Sequence, residues 1–264
     1  MTDILEMLTA MRRYDAGQRE AEVPFAELML RAELAPKALD FAAAIARDAR
    51  SGRPRVIAEL KRASPSEGMI RDDFHPVELA QELVGAGAAA LSVLCEPHKF
   101  LGDEKFLRAV RSAVDVPILY KDFISTRYQI AAARAAGADA VLLIAAVLED
   151  DVLGDLLGFA HNLGFVALVE THNEEEIESA VQSGARIIGV NCRNLRNFST
   201  DVSLLESLVG KIQRPCLRVA ESGMHTAEAI RRAQAAGADG FLVGTALMRA
   251  DKPGEKLKEL LTNH

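Results

Sequence analysis

The chain has 264 residues, of which 49% are hydrophobic and 26% charged, and carries a formal charge of −7. That composition suits a globular protein with a large buried core and excludes a largely disordered chain. The acidic balance speaks against nucleic acid or an anionic membrane as a partner, since either needs a basic surface.

The chain starts with MTDILEMLTAMRR, which lacks the basic n-region, apolar run and cleavage site of a secretory signal. The longest apolar run, Val141 to Leu148, is too short to span a bilayer. A soluble, cytoplasmic protein is expected. Cys95, Cys192 and Cys216 are scattered singly, as small core residues in a reducing compartment would be. No HExxH or Cys/His ligand spacing occurs, so no metal is expected.

Residues 1–52 read as a helical extension. MTDILEMLTAMRRYDAG is amphipathic, with Ile4, Leu5, Leu8 and Met11 on one face, and LAPKALDFAAAIARDAR reads as a second helix ending before Ser51. Such segments could cap a barrel or cover its mouth.

From residue 55 onward, β-rich runs alternate with amphipathic helical stretches. The strands are expected at 55–60, 89–95, 116–121, 139–145, 165–170, 186–191, 216–221 and 240–244. Most are near-continuous apolar runs, as parallel strands covered by helices should be. Gly87, Gly137, Gly184 and Gly237 follow the helices and fit their C-caps. AAGADAVLL at 135–143 recurs as AAGADGFLV at 235–243, half a barrel apart. A doubly wound sheet would usually carry GxGxxG after its first strand, which is missing here. The expected architecture is one (β/α)8 TIM-barrel domain over 1–264, with the barrel proper at 53–264.

Barrel active sites lie at the C-terminal ends of the strands, and here those ends are polar. Strand one ends in Glu59 and Lys61, which share a face if the strand persists. Strand three ends in Lys121, with Leu119 on the same face below it. Glu170 closes strand five, Asn191 strand six, and Glu221 with Ser222 strand seven. Any one alone fits an ion pair sealing the barrel. Five strands ending this way point to an acid–base site whose groups shift one another's pKa values. Ser222-Gly223 and Val243-Gly244-Thr245 follow strands seven and eight, where this fold commonly binds phosphate on backbone N–H groups.

The segments EL-KRASPSEG (59–68), VPILYKDFI (116–124), ALVETHNEEE (167–176), IIGVNCRNL (187–195), VAESGM (219–224) and FLVGTALM (241–248) together resemble the indole-3-glycerol phosphate synthase family. The resemblance covers nearly the whole chain. It implies cyclisation, decarboxylation and dehydration of 1-(2-carboxyphenylamino)-1-deoxyribulose 5-phosphate in tryptophan biosynthesis. It implies Lys121 as general acid, Glu170 as base of the dehydration, and Lys61 paired with substrate anion. Glu59 and Glu221 would orient lysines and hydroxyls, with Asn191 and Ser222 completing the hydrogen-bonding shell. Phosphate would sit on Ser64, Gly223, Gly244 and Thr245. The anthranilate ring would lie among Pro65, Phe100, Phe123, Leu142 and Leu195, near Arg193. No cofactor is implied.

Four positions depart from the commonest family pattern. Thr245 stands where serine is frequent, and Cys95, Tyr120 and Cys192 replace other residues. The chain also has no tryptophan, so an aromatic lid sometimes lent by the N-terminal segment is missing. Three rival readings are a phosphoribosyl-isomerase-like barrel, a Schiff-base aldolase using Lys121, and a silent phosphate-binding scaffold. Which lysine is the acid in each step, and the oligomeric state, are left open.

Overall fold

The computed structural model describes residues 4–47, 52–192 and 202–262. Among these, eight parallel strands close into a barrel: β1 (Arg55–Leu60), β2 (Ala90–Leu94), β3 (Ile118–Lys121), β4 (Ala140–Ile144), β5 (Val166–Thr171), β6 (Ile187–Asn191), β7 (Leu217–Glu221) and β8 (Gly240–Val243). Each pairs with its sequence neighbours, and β1 closes on β8 through Arg55–Gly240, Val56–Phe241, Ile57–Leu242 and Ala58–Val243. This is the expected TIM barrel. Among the described residues no helix is long and apolar enough to cross a membrane.

Period-two alternation divides the strand residues into two cores. Val56, Ala58, Leu91, Val93, Ile118, Tyr120, Val169 and Phe241 point outward against the helices. Ile57, Ala90, Leu119, Leu142, Leu168, Ile187, Val219 and Leu242 fill the interior. The surrounding helices include α4 (Pro76–Ala86), α5 (Glu104–Arg111), α6 (Arg127–Ala135), α7 (Asp150–Asn162), α8 (Glu174–Gln182), α9 (Val202–Lys211) and α10 (Ala227–Ala235). Side-chain N-caps from Asp103, Thr126, Asn173 and Thr226 start α5, α6, α8 and α10. Gly87, Gly137, Gly184 and Gly237 end helices with φ of +89 to +112°, a left-handed turn that a Cβ would oppose.

The N-terminal segment differs from its expected pattern. The first helix, α1, runs Ile4–Glu22, and α2 spans Phe25–Leu34, where no helix was expected. Of the helix expected over 34–50, residues 35–47 form only α3, Phe41–Ile45, and 48–50 lie outside the described residues. Pro36 favours extended backbone at Ala35, where φ is −64° and ψ 143°, so α2 stops there. Asp40 then caps α3 by accepting from the Ala43 N–H at 2.9 Å. The two alternatives for this segment both occur. Phe41 and Ile45 of α3 plug the N-terminal end, with Ile45 against Gly240. Leu5 and Leu8 of α1 cover the opposite mouth.

The repeated AAGAD segments do equivalent structural work. Asp139 accepts from the Ile118 N–H at 2.8 Å and pairs with Arg111 at 2.9 Å. Asp239 accepts from the Arg218 N–H at 3.0 Å and pairs with Arg214 at 2.9 Å. Each carboxylate thus clamps the strand before its own.

Candidate active site

Inward parity carries Glu59, Lys121, Glu170, Asn191 and Glu221 to the C-terminal mouth, where they line one pocket. The strand registers set Glu59 beside Ser92, Glu170 beside Gly189, and Asn191 beside Glu221. Lys61 lies just beyond β1, which ends at Leu60, yet its Nζ still meets Glu59 Oε1 at 2.8 Å. Lys121 Nζ donates to Glu170 Oε2 at 3.2 Å and to Glu221 Oε2 at 3.3 Å. Asn191 Nδ2 donates to Glu170 Oε1 at 2.9 Å, while its Oδ1 accepts from Ser222 Oγ at 2.7 Å.

These carboxylates are almost wholly buried, so their neighbours decide their charge. Burial opposes the Lys121 ammonium, but Glu221, Glu170 and Glu59 outweigh it and hold its pKa above the ordinary lysine value. Burial also opposes the Glu170 anion. Lys121, with His172 and Asn191, wins there and keeps Glu170 well below the usual carboxylate range. Glu221 goes the other way: burial, with the negative charge of Glu170 beside it, pushes it up to about 8 against the pull of Lys121. Glu59, despite its burial, is held low by Lys61 and Lys121. The surroundings therefore favour an ammonium at Lys121 and anions at Glu59 and Glu170, and oppose a charge on Glu221.

Two glycines make room for this arrangement. A Cβ on Gly189 would strike the Glu221 carboxylate, and one on Gly244 would strike that of Glu59. After β7, Ser222 and Gly223 take consecutive left-handed φ values of 62° and 75°. Such strain at a non-glycine residue concentrates at functional sites. Gly223, Gly244, Thr245 and Ser64 line one side of the same pocket. The loop carrying Ser64 is tied down over the β8 end by Arg71, which donates to the carbonyls of Met248 (3.1 Å) and Ala250 (2.9 Å), and by the Arg249–Glu67 ion pair. The helix there, α11 (Thr245–Met248), is a single turn.

The other side is apolar. Pro65, Phe100, Phe123 and Leu142 line it, with the two phenyl rings 6.0 Å apart. Glu96 holds the Phe100 loop by accepting the N–H groups of His98, Lys99 and Phe100 at 2.7–2.8 Å. Gln129 holds Phe123 by donating to its carbonyl at 2.8 Å. Arg193 and Leu195 lie outside the described residues. Ile4, Leu5, Leu8, Leu94, Ile144 and Leu242 also line the pocket. The first three stand on the amphipathic face of α1. Cys95 and Tyr120 lie in the outer core, away from the chemistry.

A family model described as indole-3-glycerol phosphate synthase matches residues 5–260. The chain belongs to the indole-3-glycerol phosphate synthase family. It is 42% identical over 260 residues to an indole-3-glycerol phosphate synthase from Acidithiobacillus ferrooxidans, covering 98% of this chain and 99% of that one. The identity to the indole-3-glycerol phosphate synthase of Chromobacterium violaceum is 43% over 260 residues, with 98% of each chain covered. Solved structures with the same fold include a thiamine phosphate pyrophosphorylase from Pyrococcus furiosus, at TM-score 0.59 and 18% identity, covering 78% of this chain and 93% of that one. An N-acetylmannosamine-6-phosphate 2-epimerase from Clostridium perfringens aligns at TM-score 0.57 and 17% identity, over 73% and 86%. These two establish fold alone.

Proposed function

We propose that this chain converts 1-(2-carboxyphenylamino)-1-deoxyribulose 5-phosphate to indole-3-glycerol phosphate, CO2 and water. The observation that carries the reading is the Lys121–Glu170–Glu221 cluster, with distances of 3.2 and 3.3 Å, set in a pocket polar on one side and aromatic on the other. Lys121 protonates the ketone oxygen as the ring carbon bonds to the carbonyl carbon, and loss of CO2 returns electrons to the ring. Glu170 takes a proton in the dehydration. Lys61, held by Glu59, pairs with the substrate carboxylate. Glu221 orients Lys121, and Asn191 and Ser222 fix Glu170.

The phosphate rests on Ser64, Gly223, Gly244 and Thr245, while the ring lies between Phe100, Phe123, Pro65 and Leu142. A Schiff-base role for Lys121 is disfavoured, because imine formation needs a neutral amine and the anions of Glu170 and Glu59 hold this one charged.

Incubation with the carboxyphenylamino substrate should yield indole absorbance and fluorescence. Lys121→Ala should abolish turnover with the fold intact. Full activity in that variant removes Lys121 as the acid, and a borohydride-trapped adduct at Lys121 would replace this reading with an aldolase.

A further inference from the structure

The site contains a titratable group that the reaction above does not use. His172 follows β5 two residues after Glu170, so its side chain turns to the same side. Its ring lies between two carboxylates. Nδ1 meets Glu176 Oε2 at 3.0 Å, and Nε2 faces Glu170 Oε1 at 3.4 Å. The backbone N–H of His172 also donates to Glu176 Oε2 at 2.8 Å. Glu176 is itself fixed at the start of α8: its N–H donates to Asn173 Oδ1 at 2.8 Å, and its Oε1 accepts from Asn173 Nδ2 at 2.7 Å.

We propose that His172 is a positioning residue for Glu170, an imidazolium tethered by Glu176 that keeps the Glu170 carboxylate ionised and aimed when Lys121 turns to substrate. The inference rests on Glu170 acting as the base. Glu170 has two cationic neighbours, and they differ in freedom. Lys121 must leave it to reach the ketone oxygen, whereas His172 is held by two contacts to Glu176. Without a second cation, Glu170 would lose its main stabilisation at the step that needs its anion.

From α8 the ring is faced by Glu176 and from β5 by Glu170. Behind Glu170 stand Asn191 of β6, Lys121 of β3 and Glu221 of β7. Burial opposes the imidazolium, but the two carboxylates outweigh it and raise His172 to about 10. A helix cap alone explains the Glu176 contacts but not the second nitrogen pointing into the site.

The test is the pH profile of kcat for His172→Gln, with His172→Arg as the charge-restoring variant. Removing a cation raises the pKa of Glu170, so the acid limb of kcat should move up by about one unit or more. The rate at neutral pH should fall by roughly 10-fold, a part of the ~10²–10⁴-fold that a positioned base contributes. KM should stay within about threefold, and His172→Arg should return part of the limb. If His172→Gln fails to fold, Glu176→Gln, which loosens the tether, should shift the limb the same way by less. An unmoved acid limb in the folded variants overturns the role of His172. Near-normal activity in Glu170→Gln would instead overturn the base on which it rests.

Discussion

The ion pair that holds α1 over the mouth can be cut by Arg12→Met. Arg12 reaches Asp122 through Nε at 2.9 and 3.1 Å and through Nη2 at 2.7 Å. Asp122 is 3% exposed, and burial raises its pKa even with Arg12 beside it. The variant would leave that carboxylate the Phe123 N–H at 2.8 Å as a donor. Removing one partner of a buried pair costs about 3–5 kcal/mol, because the other charge stays uncompensated. For a chain of this size each kcal/mol shifts Tm by about 2–4 °C, so the melt should fall by roughly 6–20 °C. Circular dichroism melts and urea titrations measure this directly. Arg12→Met/Asp122→Asn should recover at least half the loss, since no charge is then stranded. Ile4, Leu5 and Leu8 of the same helix line the pocket, so KM should rise in the single variant. A single variant within about 1 kcal/mol of the parent would refute the pair as the anchor of α1.

The remaining predictions concern the site and the frame beneath it. Glu221 is raised from 4.5 to about 8, so the folded state binds its extra proton between those values. Its contribution to stability is complete below 4.5 and is lost as pH rises through 8. Glu221→Gln, which mimics the protonated acid, should flatten that decline in denaturant titrations from pH 5 to 9; an unchanged slope counts against the protonated form. Gly244→Ala forces Glu59 off its place beside Lys61, so activity should drop more than stability does. Glu59→Ala/Gly244→Ala should then be no less active than Glu59→Ala, and a further drop in the double variant would show that the clash lies elsewhere. Asp139→Asn removes a carboxylate that serves the Leu39 and Ile118 N–H groups as well as Arg111. It should cost about 2–4 kcal/mol in urea titrations while leaving KM alone, because it sits at the opposite end of the barrel from the pocket.

The barrel was legible because parallel strands covered on both sides are apolar throughout, and four of the helices between them end on glycines at 87, 137, 184 and 237. The polar strand ends were legible because charge after an apolar run is expensive unless it is used. The N-terminal segment was harder to read. Phe25–Leu34 has a helical pattern, but Pro36 and the Asp40 cap, rather than periodicity, decide where α2 stops and α3 begins. His172 escaped notice because it lies beyond the strand end, and its role depends on Glu176 returning from α8 to meet it. Gly189 read as an ordinary strand residue, since the carboxylate it accommodates belongs to the next strand.

What no sequence pattern separates is Glu170 from Glu221. Both close an apolar strand, both are buried, and both lie within 3.3 Å of Lys121. Their surroundings divide them. Asn191 donates to Glu170 and His172 faces it, so its anion is stabilised from two further sides. Glu221 Oε1 is buried with no hydrogen-bond partner among the described residues, and the carboxylate of Glu170 repels its charge. The surroundings therefore favour the charge on Glu170 and oppose it on Glu221, although the two differ in sequence only by what neighbouring strands bring to them. In the proposed reaction this asymmetry would let a single lysine serve as acid beside a carboxylate that remains a base: a symmetric pair would share one proton and leave neither fully available.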